Sequence, residues 1–145
     1  MAKENVSVKN PFRSDDYSSR IFCDVLQKMC LNKRNGLLFR LFDIGNMSFT
    51  DAKLLTFRNV VGNSVRKLMA NCKNRDMLEQ ELENLKENVM RLVRLGNNDG
   101  EFLKAFSDSI EVVLNEFINF VDSELIVAKA VEKDKGGDEN VQKNR

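Results

Sequence analysis

Apolar residues recur along this chain at helical spacing in four blocks, and short polar or glycine-bearing stretches separate them. In the first block Ile21, Phe22, Val25, Leu26, Met29 and Cys30 fall on one face of a 3.6-residue period. Ser14 precedes it as a candidate N-cap, with Asp15 and Asp16 in a first turn where the helix dipole favours negative charge. The spacing predicts a first helix over 15–32, stopped by the Asn35-Gly36 turn. The run 37–42, Leu-Leu-Phe-Arg-Leu-Phe, is too short to classify by period. Closed by Gly45, it is expected to form a helical turn or two packed across the bundle, with a strand as the weaker option.

The next block opens at 48–51 with Ser48 or Thr50 as the cap. Leu54, Phe57, Val60, Val61, Val65, Leu68 and Met69 make its stripe, and it is expected to end near Cys72. Asn74 or Asp76 caps the third main helix, in which Leu78, Leu82, Leu85, Val89 and Leu92 keep a 4-3-4-3 spacing until Gly96 stops it. The fourth, over about 101–130, carries Phe102, Phe106, Ile110, Val113, Phe117 and Val121 in one line, with Leu103, Leu114, Ile118 and Leu125 beside it. That face is wider than the stripe of a surface helix, so this one is expected at the centre of the bundle. The fold class expected is all-α: one bundle of four main helices plus a short helical turn over 14–131. A flexible arm over 1–13 and a disordered charged tail over 132–145, which has no apolar period, complete the expected organisation.

Composition narrows this picture only slightly. At 145 residues, 42% hydrophobic and 31% charged, the chain fits one globular domain with a core of its own. Ten Phe against one Tyr and no Trp argue for packing over recognition, since Phe lacks the polar handle of the other two rings. No apolar leader and no run of ~20 apolar residues is present. The expected location is therefore intracellular, cytoplasmic rather than nuclear, with no membrane contact. Cys23, Cys30 and Cys72 are expected to be free thiols: the count is odd, and two residues seven apart on a helix stand ~10.5 Å apart, beyond disulfide reach.

Charge changes the picture more. Residues 1–75 hold 14 Lys and Arg against 6 Asp and Glu, a net of +8, and residues 76–145 hold 9 against 16, a net of −7. The cations Lys28, Lys33, Arg34, Arg40, Lys53, Arg58, Arg66, Lys67, Lys73 and Arg75 are the candidate contacts to the backbone of RNA or DNA, or to an acidic protein surface. Aromatic interleaving is confined to Phe39 and Phe57, both better read as core, which favours duplex backbone over base stacking. The same split can instead drive assembly between copies of the chain. On the second main helix Ala52, Thr56, Asn59, Asn63 and Ala70 form a line of small neutral residues where a partner helix can approach closely, and they are the candidate interface.

Catalytic chemistry finds little footing. The absence of His removes the commonest general base and the commonest zinc ligand. Cys72 lies among Arg66, Lys67, Lys73 and Arg75, a setting that can lower a thiol pKa, but one cysteine in a basic stretch is a weak signal. Residues 97–101 imitate a calcium loop, yet aligning Gly100 with the loop's glycine puts Leu95 and Phe106 where acidic ligands are required. Residues 62–67 lack the spacing of a phosphate-binding loop. Residues 92–97 have the Leu-x-x-x-Gly outline of a BH3-type motif, as found among Bcl-2-like helical proteins, but Asn97 stands where that motif has an acid. The expectation is a non-enzymatic binding protein with no cofactor, metal or small-molecule substrate, contacting nucleic acid or an acidic partner, or else a self-assembling interaction module.

Overall fold

A computed structural model describes the backbone of residues 18–143 and the side chains of residues 18–131. Among the described residues are five α-helices: α1 Ser19–Leu31, α2 Leu37–Ser48, α3 Asp51–Asn71, α4 Leu78–Arg94 and α5 Gly100–Lys143, with a 3-10 turn at Arg75–Met77 before α4. No strand occurs among the described residues, so the fold is all-α. The arm expected over 1–13 and the cap expected at Ser14 lie outside the described residues. α1 is capped by Ser18, whose backbone is extended (φ −73°, ψ 155°) and whose hydroxyl accepts the Ile21 N–H at 3.1 Å. The expected disordered tail from 132 falls where the backbone alone is described; the bounds of α5 run to Lys143.

The run read as a turn or two is the main departure. It is a helix of 12 residues, so the described residues hold five helices where four and a turn were expected. Gly45 does not end α2 but sits inside it, buried against α3. A Cβ there would stand 2.5 Å from Cε2 of Phe57, so the missing side chain is a notch that admits the Phe57 ring. The chain leaves α2 at Phe49, whose N–H bonds the Gly45 carbonyl at 2.8 Å. Thr50 follows as the cap residue of α3 without a side-chain bond, and Asp51 begins that helix at φ 53°, a left-handed conformation that Asp tolerates better than most residues.

Elsewhere spacing and structure agree. Asn74 caps the 3-10 turn by accepting the Met77 N–H at 3.1 Å. Leu78, Leu82, Leu85 and Val89 are buried along α4, and Met90 and Val93 join them. Gly96, at φ 72°, ends that helix as glycine commonly does. Asp99 then starts α5, its carboxylate accepting from the N–H groups of Glu101 (3.1 Å) and Phe102 (3.2 Å).

α5 packs against α1, α2 and α4, and its Phe106 ring meets the α3 ring of Phe57 edge-on at 5.7 Å between centroids. It thus touches every other helix, a position that it shares with α3. Phe106, Ile110, Val113, Leu114, Phe117, Val121 and Leu125 supply its share of a single continuous core. Burying a side chain of this size stabilises the fold by roughly 1.5–3 kcal/mol each. α3 lies most closely on α4, and Ser64, buried on α3, is small enough to permit that approach.

Candidate functional site

Folding brings the two charge sets together. Acids along α5 pair with cations from four other elements. Glu124 meets Lys28 of α1 at 3.2 Å, Glu116 meets Arg40 of α2, and Glu111 meets Lys86 of α4. Asp122 takes Arg75 of the 3-10 turn in a two-pronged contact, Nε at 2.5 Å and Nη2 at 3.1 Å. Arg75 is only 3% exposed and also lies 3.8 Å from Glu79. It belongs to the core, not to a polyanion-binding surface. The contacts of Lys28, Arg40 and Arg75 join the basic half of the sequence to the acidic half, whereas Lys86 and Glu111 both belong to the acidic half.

The remaining candidate cations are differently engaged. Arg58 lies 5.7 Å over the Phe42 ring and donates to Asn46 at 2.6 Å, which ties it to α2. Arg66 donates to Asn63, one turn back, at 2.6 Å. Lys33 and Arg34 sit in the α1–α2 turn, Lys53 in the first turn of α3, Lys67 near its end and Lys73 after it; all are exposed, without an ion pair among the described residues. Lys67 shares a groove of about 370 Å³ between α3 and α4 with Arg91, but Glu81 and Glu87 line it too. Its charge is mixed rather than basic.

The small-residue line is exposed throughout: Ala52, Thr56, Asn59, Asn63 and Ala70 all face solvent. Its first two members have company that the sequence did not disclose. Ala52, Thr56 and Lys53 form one wall of a cleft of about 220 Å³, closed on the other side by Leu92, Val93, Leu95 and Asn97 at the end of α4. Phe49 and Phe57 make its floor. They are held from behind, for Phe49 packs on Phe57 at 5.3 Å, on Phe106 at 5.5 Å and on Phe102 at 6.2 Å between centroids. The cleft is thus a rigid apolar recess with one lysine at its rim.

Of the cleft's lining, Leu95 stands out for its exposure. Met47 (83% exposed), Leu95 (72%) and Leu55 (63%) are the three most exposed large hydrophobic side chains among the described residues. Met47 is in the last turn of α2, Leu55 in the second turn of α3, and Leu95 caps α4. Of the three, Leu95 alone lines the cleft. A single sequence signal was available: all three fall outside the stripes of their own helices.

Cys30 and Cys72 are held in the thiol form, which makes them poor nucleophiles. Burial pushes Cys30 up to about 12, with the nearby Cys72 adding to it. Burial likewise pushes Cys72 up to about 12, with Glu81 and Cys23 adding and Arg75 and the Asn74 backbone opposing. The basic neighbours that might have activated Cys72 are outweighed. No group of three or more metal-ligating side chains occurs among the described residues, and no helix there is long and apolar enough to cross a membrane. The BH3-type outline at 92–97 is the last turn of α4 with its glycine stop. Comparison with protein-family models, with curated proteins and with solved structures gives no match.

Proposed function

We propose that this chain is a non-enzymatic helical binding protein that works by protein–protein contact through its apolar end. The observation that carries the reading is the cleft between α3 and α4. It is mainly apolar, it is backed by packed rings, and Leu95, one of the most exposed large hydrophobics among the described residues, lines it. Surfaces of protein contact are built this way, with an apolar centre and a polar rim. The expected interface line contributes Ala52 and Thr56 to that centre, while Asn59, Asn63 and Ala70 extend from it along α3 as a rim. Affinity capture with wild type and Leu95→Glu as paired baits, from the cells that express the chain and with untagged copies of it included, tests the reading. At least one protein held by the wild type is expected to be lost with the variant. Identical sets, or nothing bound to either, would count against it.

A second reading rests on Lys33, Arg34, Lys53, Arg66, Lys67 and Lys73, which stay exposed without ion pairs among the described residues. These are the cations left for the backbone of a nucleic acid. A generic duplex offered at ~50 mM salt, where electrostatic association is strong, decides it. Binding that weakens on replacing Arg66 and Lys67 by Gln supports this reading, and absence of binding removes it.

A further inference from the structure

We infer that the polar groove between α3 and α4 binds a short extended stretch of peptide, one that carries a cationic group at one end and a carboxylate at the other. The groove, about 370 Å³, shares no lining residue with the apolar cleft and is a second site, beyond the protein-contact reading above. Ser64 lines it, only 6% exposed, and its hydroxyl makes no hydrogen bond among the described residues. A hydroxyl within a helix commonly turns back on the carbonyl one turn earlier, as Thr56 does on Ala52 at 3.0 Å. Ser64 does not, and alanine would permit the same close approach of α3 to α4. Buried polar atoms of folded proteins have partners as a rule, so this hydroxyl marks a place where a bound group completes the wall. The polar groups around it are uncommitted too. Asn71 and Asn88, the cations Lys67 and Arg91, and the Glu81 carboxylate form no side-chain hydrogen bond or ion pair among the described residues. Only Asn84 and Glu87 are engaged, by Gln80 at 3.3 Å and Arg94 at 3.8 Å. In the groove between α4 and α5, by contrast, Glu79 and Glu111 are paired with Arg75 and Lys86.

The order of these groups along the groove defines the ligand. α3 and α4 run antiparallel: the short 3-10 turn joins the end of one to the start of the other, and the apolar cleft unites the start of α3 with the end of α4. Glu81 therefore lies at the Asn71 end of the groove, and Arg91 at the Ser64 end, ~15 Å further along α4 at 1.5 Å per residue. One end is negative and the other positive. Four extended residues at ~3.3 Å each cover ~13 Å of that span. Between the ends, Asn71 and Asn88 each offer a carbonyl acceptor and an NH2 donor, the complement of a main-chain N–H and C=O. No aromatic ring lines the groove for a base to stack on, and Glu81 and Glu87 repel a polyphosphate.

The test is amide NMR of the full chain titrated with four probes: tetra-alanine with free termini, acetyl-Lys-Ala-Ala-Glu-amide, the uncharged acetyl-tetra-alanine-amide, and inorganic phosphate. Saturable shifts are expected at 64–71 and 81–91 with a charged peptide, and not with the uncharged peptide or with phosphate. Saturation by tetra-alanine alone assigns a free peptide, and saturation by the blocked charged peptide alone assigns a segment within a longer chain; either supports the site. Ser64→Ala keeps the small side chain and is expected to weaken binding about fivefold, the loss of one hydrogen bond. Glu81→Gln and Arg91→Gln are expected to weaken it about threefold each. No saturable shift with either charged peptide overturns the proposal, as does binding unaltered in Ser64→Ala and Arg91→Gln. Phosphate shifts equal to those of the peptides overturn it in favour of a simple anion site. None of these variants touches the lining of the apolar cleft, so the capture experiment with Leu95→Glu succeeds or fails independently.

Discussion

Alanine at Gly45 and alanine at Gly62 should move stability in opposite directions, although both glycines lie inside helices. In a helix interior glycine costs roughly 1 kcal/mol relative to alanine. At Gly62 a Cβ meets nothing within 4 Å, so Gly62→Ala should gain about that 1 kcal/mol. At Gly45 the new methyl arrives 2.5 Å from Cε2 of Phe57. That ring cannot swing away: it is 1% exposed and is clamped between Phe49 and Phe106. Overpacking a filled core costs about 1–3 kcal/mol, so after the helix gain Gly45→Ala should be destabilised by up to about 2 kcal/mol. The telling quantity is the difference between the two variants, in which the helix gain cancels and about 1–3 kcal/mol of overpacking remains. At about 2–4 °C per kcal/mol for a chain near this size, their melting temperatures should differ by at least about 2 °C, with Gly62→Ala the higher. Thermal and urea denaturation followed by circular dichroism provides both numbers. In a Phe57→Leu background the gap should shrink, because the clashing ring is gone. Equal stability of the two alanine variants would refute the close α2–α3 approach and with it the view of Gly45 as a packing notch.

Three further outcomes follow from particular contacts. Asp122→Leu leaves the buried Arg75 guanidinium with the looser Glu79 contact in place of its two-pronged partner, and should cost about 3 kcal/mol by urea titration; Arg75→Met with Asp122→Leu should recover much of that loss, and an unrecovered double variant would contradict a charge-based cost. Asp99→Ala removes the acceptor of the Glu101 and Phe102 N–H groups and should lower stability by about 1 kcal/mol, a loss that Asp99→Asn should largely avoid. Cys30 and Cys72 hold their protons up to about 12 when folded and ionise near 9.0 when exposed. Above about pH 9 the unfolded chain therefore releases protons that the folded chain keeps, so stability should fall with rising pH from there and this contribution should be gone by about 12. Ellman titration of the native protein at mild alkaline pH should count at most one reactive thiol of the three, and a count of three would refute the burial of Cys30 and Cys72.

Long periodic stretches were legible in the sequence because their burial pattern is one-sided. The stripe from Leu78 to Val89 and the line from Phe106 to Leu125 are read correctly because each such helix presents one face to the core. Gly96 was legible as a stop because nothing but a positive φ is asked of it. Gly45 looked the same on paper and does the opposite, since its reason is the shape of Phe57, twelve residues away. The ends of ion pairs are invisible for a similar reason: the charge split is plain in the sequence, but Glu116 and Arg40 are 76 residues apart and meet only after α2 and α5 pack. Of the candidate interface, Ala52 and Thr56 were found by their spacing. Met47, Leu55 and Leu95 were not, because an apolar residue out of register is ordinarily a stray. Only the cleft that Leu95 lines gives that residue a place in a surface.

The central claim is that association runs through the apolar end and not through the charge split. Amide chemical shifts recorded by NMR, for the chain alone over a dilution series and with each protein that the wild type captures, test it residue by residue. The claim predicts association-dependent shifts concentrated at 49–57 and 92–97, largely indifferent to added salt. Shifts confined to Lys33, Arg34, Arg66, Lys67 and Lys73 and abolished by salt, or no shift at 49–57 and 92–97 with any captured protein, would contradict it.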